Sequence, residues 1–157
     1  MRAFALKDSD LVSALLDAAF APSHIEGVLV RRLRERKKVM LEWVLDDAKG
    51  VSAHIVYTHA FRDGKIIGWH LAPVAVRPDV QRAGLGSQLI RESLAAEPLR
   101  DASVFVLGDP NYYRRFGFAS VAVPVCPFDD GNPHFLALRW TPDESFVVGY
   151  EREFFKG

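Results

Sequence analysis

The residues best suited to chemistry lie in two short runs. The first is Gln81-Arg82-Ala83-Gly84-Leu85-Gly86-Ser87, which follows the apolar triplet Val74-Ala75-Val76 and opens a helical apolar pattern. The first amides of a helix lack an intrahelical partner and sit at the positive end of its dipole. Glycines leave that end uncovered, so the run suits phosphate groups. On spacing alone, Gly84 and Gly86 serve equally well for a tight turn and close packing. Two other phosphate motifs fail. Leu89 occupies the third glycine position of a dinucleotide fingerprint, and no Gly-Lys-Ser/Thr is present.

The second run is Gly108-Asp109-Pro110-Asn111-Tyr112-Tyr113-Arg114-Arg115-Phe116-Gly117-Phe118. A phenol here could donate a proton to a leaving group, or both tyrosines could be packing aromatics. His24, Glu26, His54 and His70 are eligible as bases, and none is singled out. Alternation along a strand gives His70 the side-chain parity of Val74 and Val76. His54 and His59 stand on opposite faces of one strand, which argues against a shared metal, and no His/Cys spacing resembles a zinc site. Cys126, between Val125 and Pro127, reads as buried and inert. Arg31 to Lys38 holds six basic residues and one acid. Such a run is usually a solvated helix face, though it could attract an anion; no nucleic-acid reader motif accompanies it.

The elements that must position these runs follow from periodicity. A short strand over residues 2–6 precedes a helix capped by Ser9 or Asp10, and Pro22-Ser23 opens a second helix. Val39–Leu45 and Ser52–Phe61 pair as a hairpin across the turn Asp46–Gly50. Ile66–Val76 is an almost continuous apolar run, as in a strand covered on both faces. Pro73 within it cannot donate to a ladder, so a bulge or unpaired stretch is expected there. A helix over Leu85–Ala96, a strand over Ser103–Leu107, a short helix from Pro110 to Arg115 and a strand over His134–Trp140 complete the pattern. Strand, helices, meander, then strand–helix–strand indicate a mixed α/β domain with a central sheet.

The chain has 157 residues, 49% hydrophobic and 25% charged, with formal net charge zero. One domain spanning 1–157 is expected, with no global field for nucleic acid or an anionic membrane. One cysteine excludes an internal disulfide and fits a cytoplasmic protein. No secretory apolar core and no run of about 18 apolar residues is present, so no membrane association is expected.

The whole segment from Leu71 to Ser87 resembles the acetyl-CoA signature of the GNAT superfamily, the acyl-CoA N-acyltransferases. It offers the triplet Val74-Ala75-Val76, Pro78, and the turn Gln81-Arg82-Ala83-Gly84-Leu85-Gly86. Tyr113, Gly117 and Phe118 match the family's Tyr-x-x-x-Gly-Phe after the fifth strand. The Leu-Gly-Asp-Pro run, Glu26 through Arg34 and the Cys-Pro-Phe at Cys126 are similar to the YhbS-like bacterial subgroup. The resemblance implies a mostly antiparallel sheet splayed between strands 4 and 5, with helices on both faces. It implies acetyl-CoA as co-substrate and no metal. The amides of Arg82 to Ser87 would hold the pyrophosphate, Val74–Val76 would pair with pantetheine, and Tyr113 would protonate the departing thiolate. Gly108-Asp109-Pro110-Asn111 departs from members with a longer helix, and Asn111 is the substitute for their pantetheine-binding Asn or Ser. The implied reaction is direct acetyl transfer to a primary amine of a small molecule. A peptide or protein amine as acceptor, or a non-catalytic CoA-binding domain, are the alternatives. A homodimer is compatible with the family.

Overall fold

The computed structural model describes residues 1–155. Seven strands form one sheet in the order β1-β2-β3-β4-β5-β7-β6. They are β1 (Arg2–Ala3), β2 (Met40–Asp47), β3 (Gly50–Arg62), β4 (Lys65–Val76), β5 (Val104–Leu107), β6 (Ala119–Ser120) and β7 (Phe135–Leu138). All neighbours are antiparallel except β4 and β5. Helices α1 (Ser9–Ala19) and α2 (Ile25–Glu35) cover one face, and α3 (Leu85–Leu94) covers the other. Helix α4 (Pro110–Tyr113) continues as a 3-10 turn to Phe116.

β1 is shorter than the apolar pattern predicts. Asp8 pulls the chain out of the strand by accepting the Ala5 amide at 2.8 Å and a paired guanidinium contact from Arg2. Asp8, not Ser9 or Asp10, precedes the first helical residue, and its side chain is spent on these bonds.

Helix α3 is held tightly. Leu89 and Ile90 are fully buried, each worth about 1.5–3 kcal/mol of burial. Ser93 Oγ lies 2.7 Å from the Tyr57 hydroxyl on β3, and Arg139 donates to the carbonyls of Leu94, Leu99 and Ala102 beyond the helix end. These bonds hold the C-terminal end of α3, while at its N-terminus Leu85 packs into the same core as Val74 and Val76 of β4.

The β3–β4 ladder carries a bulge at the proline. Ile55 faces Val74 and Tyr57 faces Leu71, so Ala72 and Pro73 both stand opposite Val56. The extra residue inverts the alternation. Leu71, Val74 and Val76 all pack toward α3, whereas Ala72 and Ala75 pack toward α1. His70 therefore faces away from Val74 and Val76, contrary to the parity expected from simple alternation.

The splay is equally explicit. β4 pairs with β5 only over Trp69–Leu71 against Val104–Val106. Beyond Leu71 the far edge of β4 has no strand beside it among the described residues.

Candidate active site

The open edge of β4 presents backbone groups. The Arg77 amide donates to Ser52 of β3 at 2.9 Å. Because a strand residue's N–H and C=O point to the same side and alternate, Ala75 also faces β3, and Val74 and Val76 face the gap. The Val76 carbonyl is taken by Gln81 Nε2 at 3.0 Å, which ties the following loop to the strand. Gln81 thus shapes the loop with its side chain.

That loop is locked in one conformation. Arg77 binds Asp79 at 2.6 Å and Asp47 across the turn, and Lys49 reaches Asp79 at 3.2 Å. These contacts hold the Asp79 carboxyl at about 2, through its hydrogen bond from Arg77 above all. Arg82 and Gly84 adopt left-handed φ values of 67° and 84°. Gly84 accepts this without strain and, lacking a side chain, cannot cap α3. The first helical bond is from Gln88 to Gly84, so the Leu85, Gly86 and Ser87 amides point outward without a capping side chain. With Val76, Gln81, Arg82 and Tyr112 they line a cavity of about 220 Å³. No acid occupies the first turn of α3. The cradle is suited to an anion.

Tyr112, absent from the sequence-based site, borders this cradle, with its hydroxyl 3.1 Å from Ser87 Oγ. Tyr113 points the other way. It lines a second cavity of about 310 Å³ together with Val74, Leu107, Glu26, His70 and Tyr150 among others. Burial, with a smaller contribution from Tyr112, pushes the Tyr113 phenol up to about 12, so it is protonated at neutral pH. No described residue hydrogen-bonds its hydroxyl. Asn111 is exposed on α4 and lines neither cavity; its amide is held by Asp109, which caps the helix at 2.9 Å.

The second cavity passes through the splay, which is how residues from both faces reach it. His70 is stacked on Tyr150, with ring centroids 3.7 Å apart and planes 4° apart. Its Nε2 donates to the Gly149 carbonyl at 3.0 Å, leaving Nδ1 buried without a partner. Burial drives the imidazole pKa down to about 4, so it is neutral. His54 lies on the α1 face beside Phe4, and His59 packs on Trp69. Among the described residues, no group of three or more His, Cys, Asp or Glu side chains could hold a metal ion. Cys126 is buried, its Sγ 3.5 Å from the Tyr150 hydroxyl.

The basic run on α2 turns out to be structural in large part. Arg34 binds Glu42 at 2.6 Å, Arg36 reaches Glu153 at 3.4 Å, and Lys38 lies 3.7 Å from Glu151. Arg34 near the end of α2, with Arg36 and Lys38 just past it, thus ties this region to β2 and to the C-terminal segment instead of forming a solvated face.

Strand, cradle and tyrosine in this order define an acyl-CoA N-acyltransferase fold. The family model for the acetyltransferase (GNAT) domain matches residues 40–120. The chain is 33% identical over 141 residues to the uncharacterized N-acetyltransferase YhbS of Escherichia coli K12, spanning 88% of this chain and 78% of the relative. It is 34% identical over 137 residues to the uncharacterized N-acetyltransferase YjhQ of the same strain, spanning 84% and 64%. The crystal structure of Escherichia coli YhbS in complex with CoA superposes with a TM-score of 0.88 at 29% identity, covering 98% of this chain and 90% of that one. A Brucella melitensis GNAT acetyltransferase in complex with acetyl-CoA gives 0.80 at 33% identity, covering 98% and 96%. The chain belongs to the GNAT acetyltransferase family. No helix among the described residues is long and apolar enough to cross a membrane.

Proposed function

We propose that this protein transfers the acetyl group of acetyl-CoA directly to the primary amine of a small molecule. The observation that carries this is a pair of cavities along the end of β4, one at an uncapped helix N-terminus and lined by Val76, the other lined by Val74 and Tyr113. CoA and acetyl-CoA are bound by the relatives from Escherichia coli and Brucella melitensis. In this chain the amides of Arg82 to Ser87 would hold the pyrophosphate. Val74, with its amide and carbonyl, and Val76, with its amide, would face the pantetheine arm as an added strand would use them, the Val76 carbonyl being held by Gln81.

The chemistry then falls to few groups. The bound acceptor loses one proton to solvent before attack, which frees its lone pair. The amine nitrogen bonds to the thioester carbon as its π electrons move onto oxygen, where the Val74 amide is placed to stabilise the charge. The carbonyl re-forms as the C–S bond breaks, the sulfur takes the proton of the Tyr113 hydroxyl, and the surplus proton on nitrogen returns through solvent to the Tyr113 oxygen. A cavity of about 310 Å³ favours a small acceptor over a folded protein surface.

The test is calorimetric titration of acetyl-CoA into wild type, Gly86→Ala and Gly86→Trp. A Cβ at Gly86 would meet only ordinary contacts, 3.6 Å from Tyr112 Oη and Val76 Cγ2. Saturable binding is expected in wild type and the alanine variant, and loss in the tryptophan variant, whose indole fills the cradle. Absence of binding to folded wild type overturns the assignment.

A further inference from the structure

The acceptor cavity has an unusual charge inventory. Among its lining residues Glu26 is the one carboxylate, and no lysine or arginine is present. The one histidine among them, His70, is neutral and already donates to Gly149. The walls on the α1–α2 side are Phe20, Leu29, Phe128, Tyr150 and Phe154. Phe128 and Tyr150 meet edge to face with centroids 4.9 Å apart, and Tyr150 packs on Phe154 at 5.1 Å. These are rings held by one another.

Glu26 is oriented from within its own helix turn. The Ile25 amide donates to Ser23 Oγ at 3.2 Å, and that hydroxyl is 2.9 Å from Glu26 Oε2. No described residue bonds its second oxygen. A carboxylate so fixed beside aromatic walls suits one cation attached to an apolar body.

We propose that the acceptor is a monoamine with an uncharged aromatic or branched aliphatic body, its ammonium seated against Glu26 and its body against Phe20, Leu29 and Tyr150. This deepens, and rests on, the acetyl-transfer assignment. An amine bearing a carboxylate or phosphate would bring an anion where no cation lines the wall. A diamine would bring a second cation into an apolar wall with no second carboxylate. Either burial is costly without a partner.

The experiment measures thiol release from acetyl-CoA by the full chain with phenethylamine, isoamylamine, phenylalanine and cadaverine. The two apolar monoamines are expected to exceed the others in kcat/KM by about tenfold or more, the equivalent of one lost charge contact. Glu26→Gln should raise KM for phenethylamine by about tenfold, while its affinity for acetyl-CoA stays within about twofold of wild type. A preference for phenylalanine or cadaverine, or an unchanged KM in Glu26→Gln, overturns the proposal and leaves acetyl transfer standing. Binding of acetyl-CoA without transfer to either apolar monoamine also overturns the proposal alone. Failure to bind acetyl-CoA removes the assignment beneath it, and the proposal with it.

Discussion

Gly108 and the ring of Tyr113 occupy adjoining space with no room between them. A Cβ on Gly108 would lie 2.9 Å from Tyr113 Cδ2 and closer still to Cε2. The glycine that ends β5 therefore sets where the phenol stands. Gly108→Ala should displace the ring, lower kcat by about tenfold or more and cost about 1–3 kcal/mol in stability, as overpacking does. Acetyl-CoA affinity, which the proposed function assigns to the α3 cradle, should change little. Steady-state kinetics beside urea denaturation checks the split.

Tyr113→Phe removes the proposed proton donor and leaves the packing. A fall in kcat of roughly 10²-fold is expected, with acetyl-CoA affinity unchanged. Because the phenol is pushed up to about 12, it stays protonated through neutral pH, so no loss of kcat attributable to it should occur below about pH 10. Tyr112→Phe should do the reverse. It loses the 3.1 Å contact to Ser87 and should weaken cofactor binding more than turnover.

His70 makes a pH prediction with a definite sign. Its folded pKa is about 4, and the unfolded value is about 6.5. Between these values the unfolded chain binds the extra proton, so stability falls as pH drops from about 6.5 toward 4. The full difference corresponds to about 3 kcal/mol, an upper figure for one buried group. Thermal melts of wild type should lose midpoint across this window, and His70→Phe should flatten the slope.

The buried carboxylate of Glu42 lies 2.6 Å from Arg34 and 2.7 Å from His54. Burial opposes its ionisation, and the hydrogen bonds from His54 and Arg34 outweigh that, holding its carboxyl below the ordinary value. Arg34→Met should cost about 3 kcal/mol by leaving the charge underpaired. Pairing it with Glu42→Met should recover part of the loss. Chemical denaturation of the single and double variants measures both.

The form of the β4 end and of the loop that opens α3 was legible because it is local. Val74–Val76 and Gln81–Ser87 are contiguous, and a helix N-terminus exposes its amides whatever packs elsewhere. Tyr113 follows from a run of eleven residues whose glycine, proline and aromatics act on one another directly. Pro73 announced its bulge through the missing N–H alone.

What that bulge does to its neighbours was not legible. One extra residue between Leu71 and Val74 turns His70 to the opposite face, and no period-two count from sequence reveals it. The cavity proposed for the acceptor gathers Phe20, Glu26, His70, Phe128, Tyr150 and Phe154 from four regions of the chain, and Arg34, Arg36 and Lys38, at and past the end of α2, find their acids at Glu42, Glu153 and Glu151. The sequence by itself determined the cradle and the tyrosine, because their geometry depends on backbone a few residues long. Only the tertiary structure decided the acceptor wall, because contacts between distant segments depend on how the sheet splays and what closes over it.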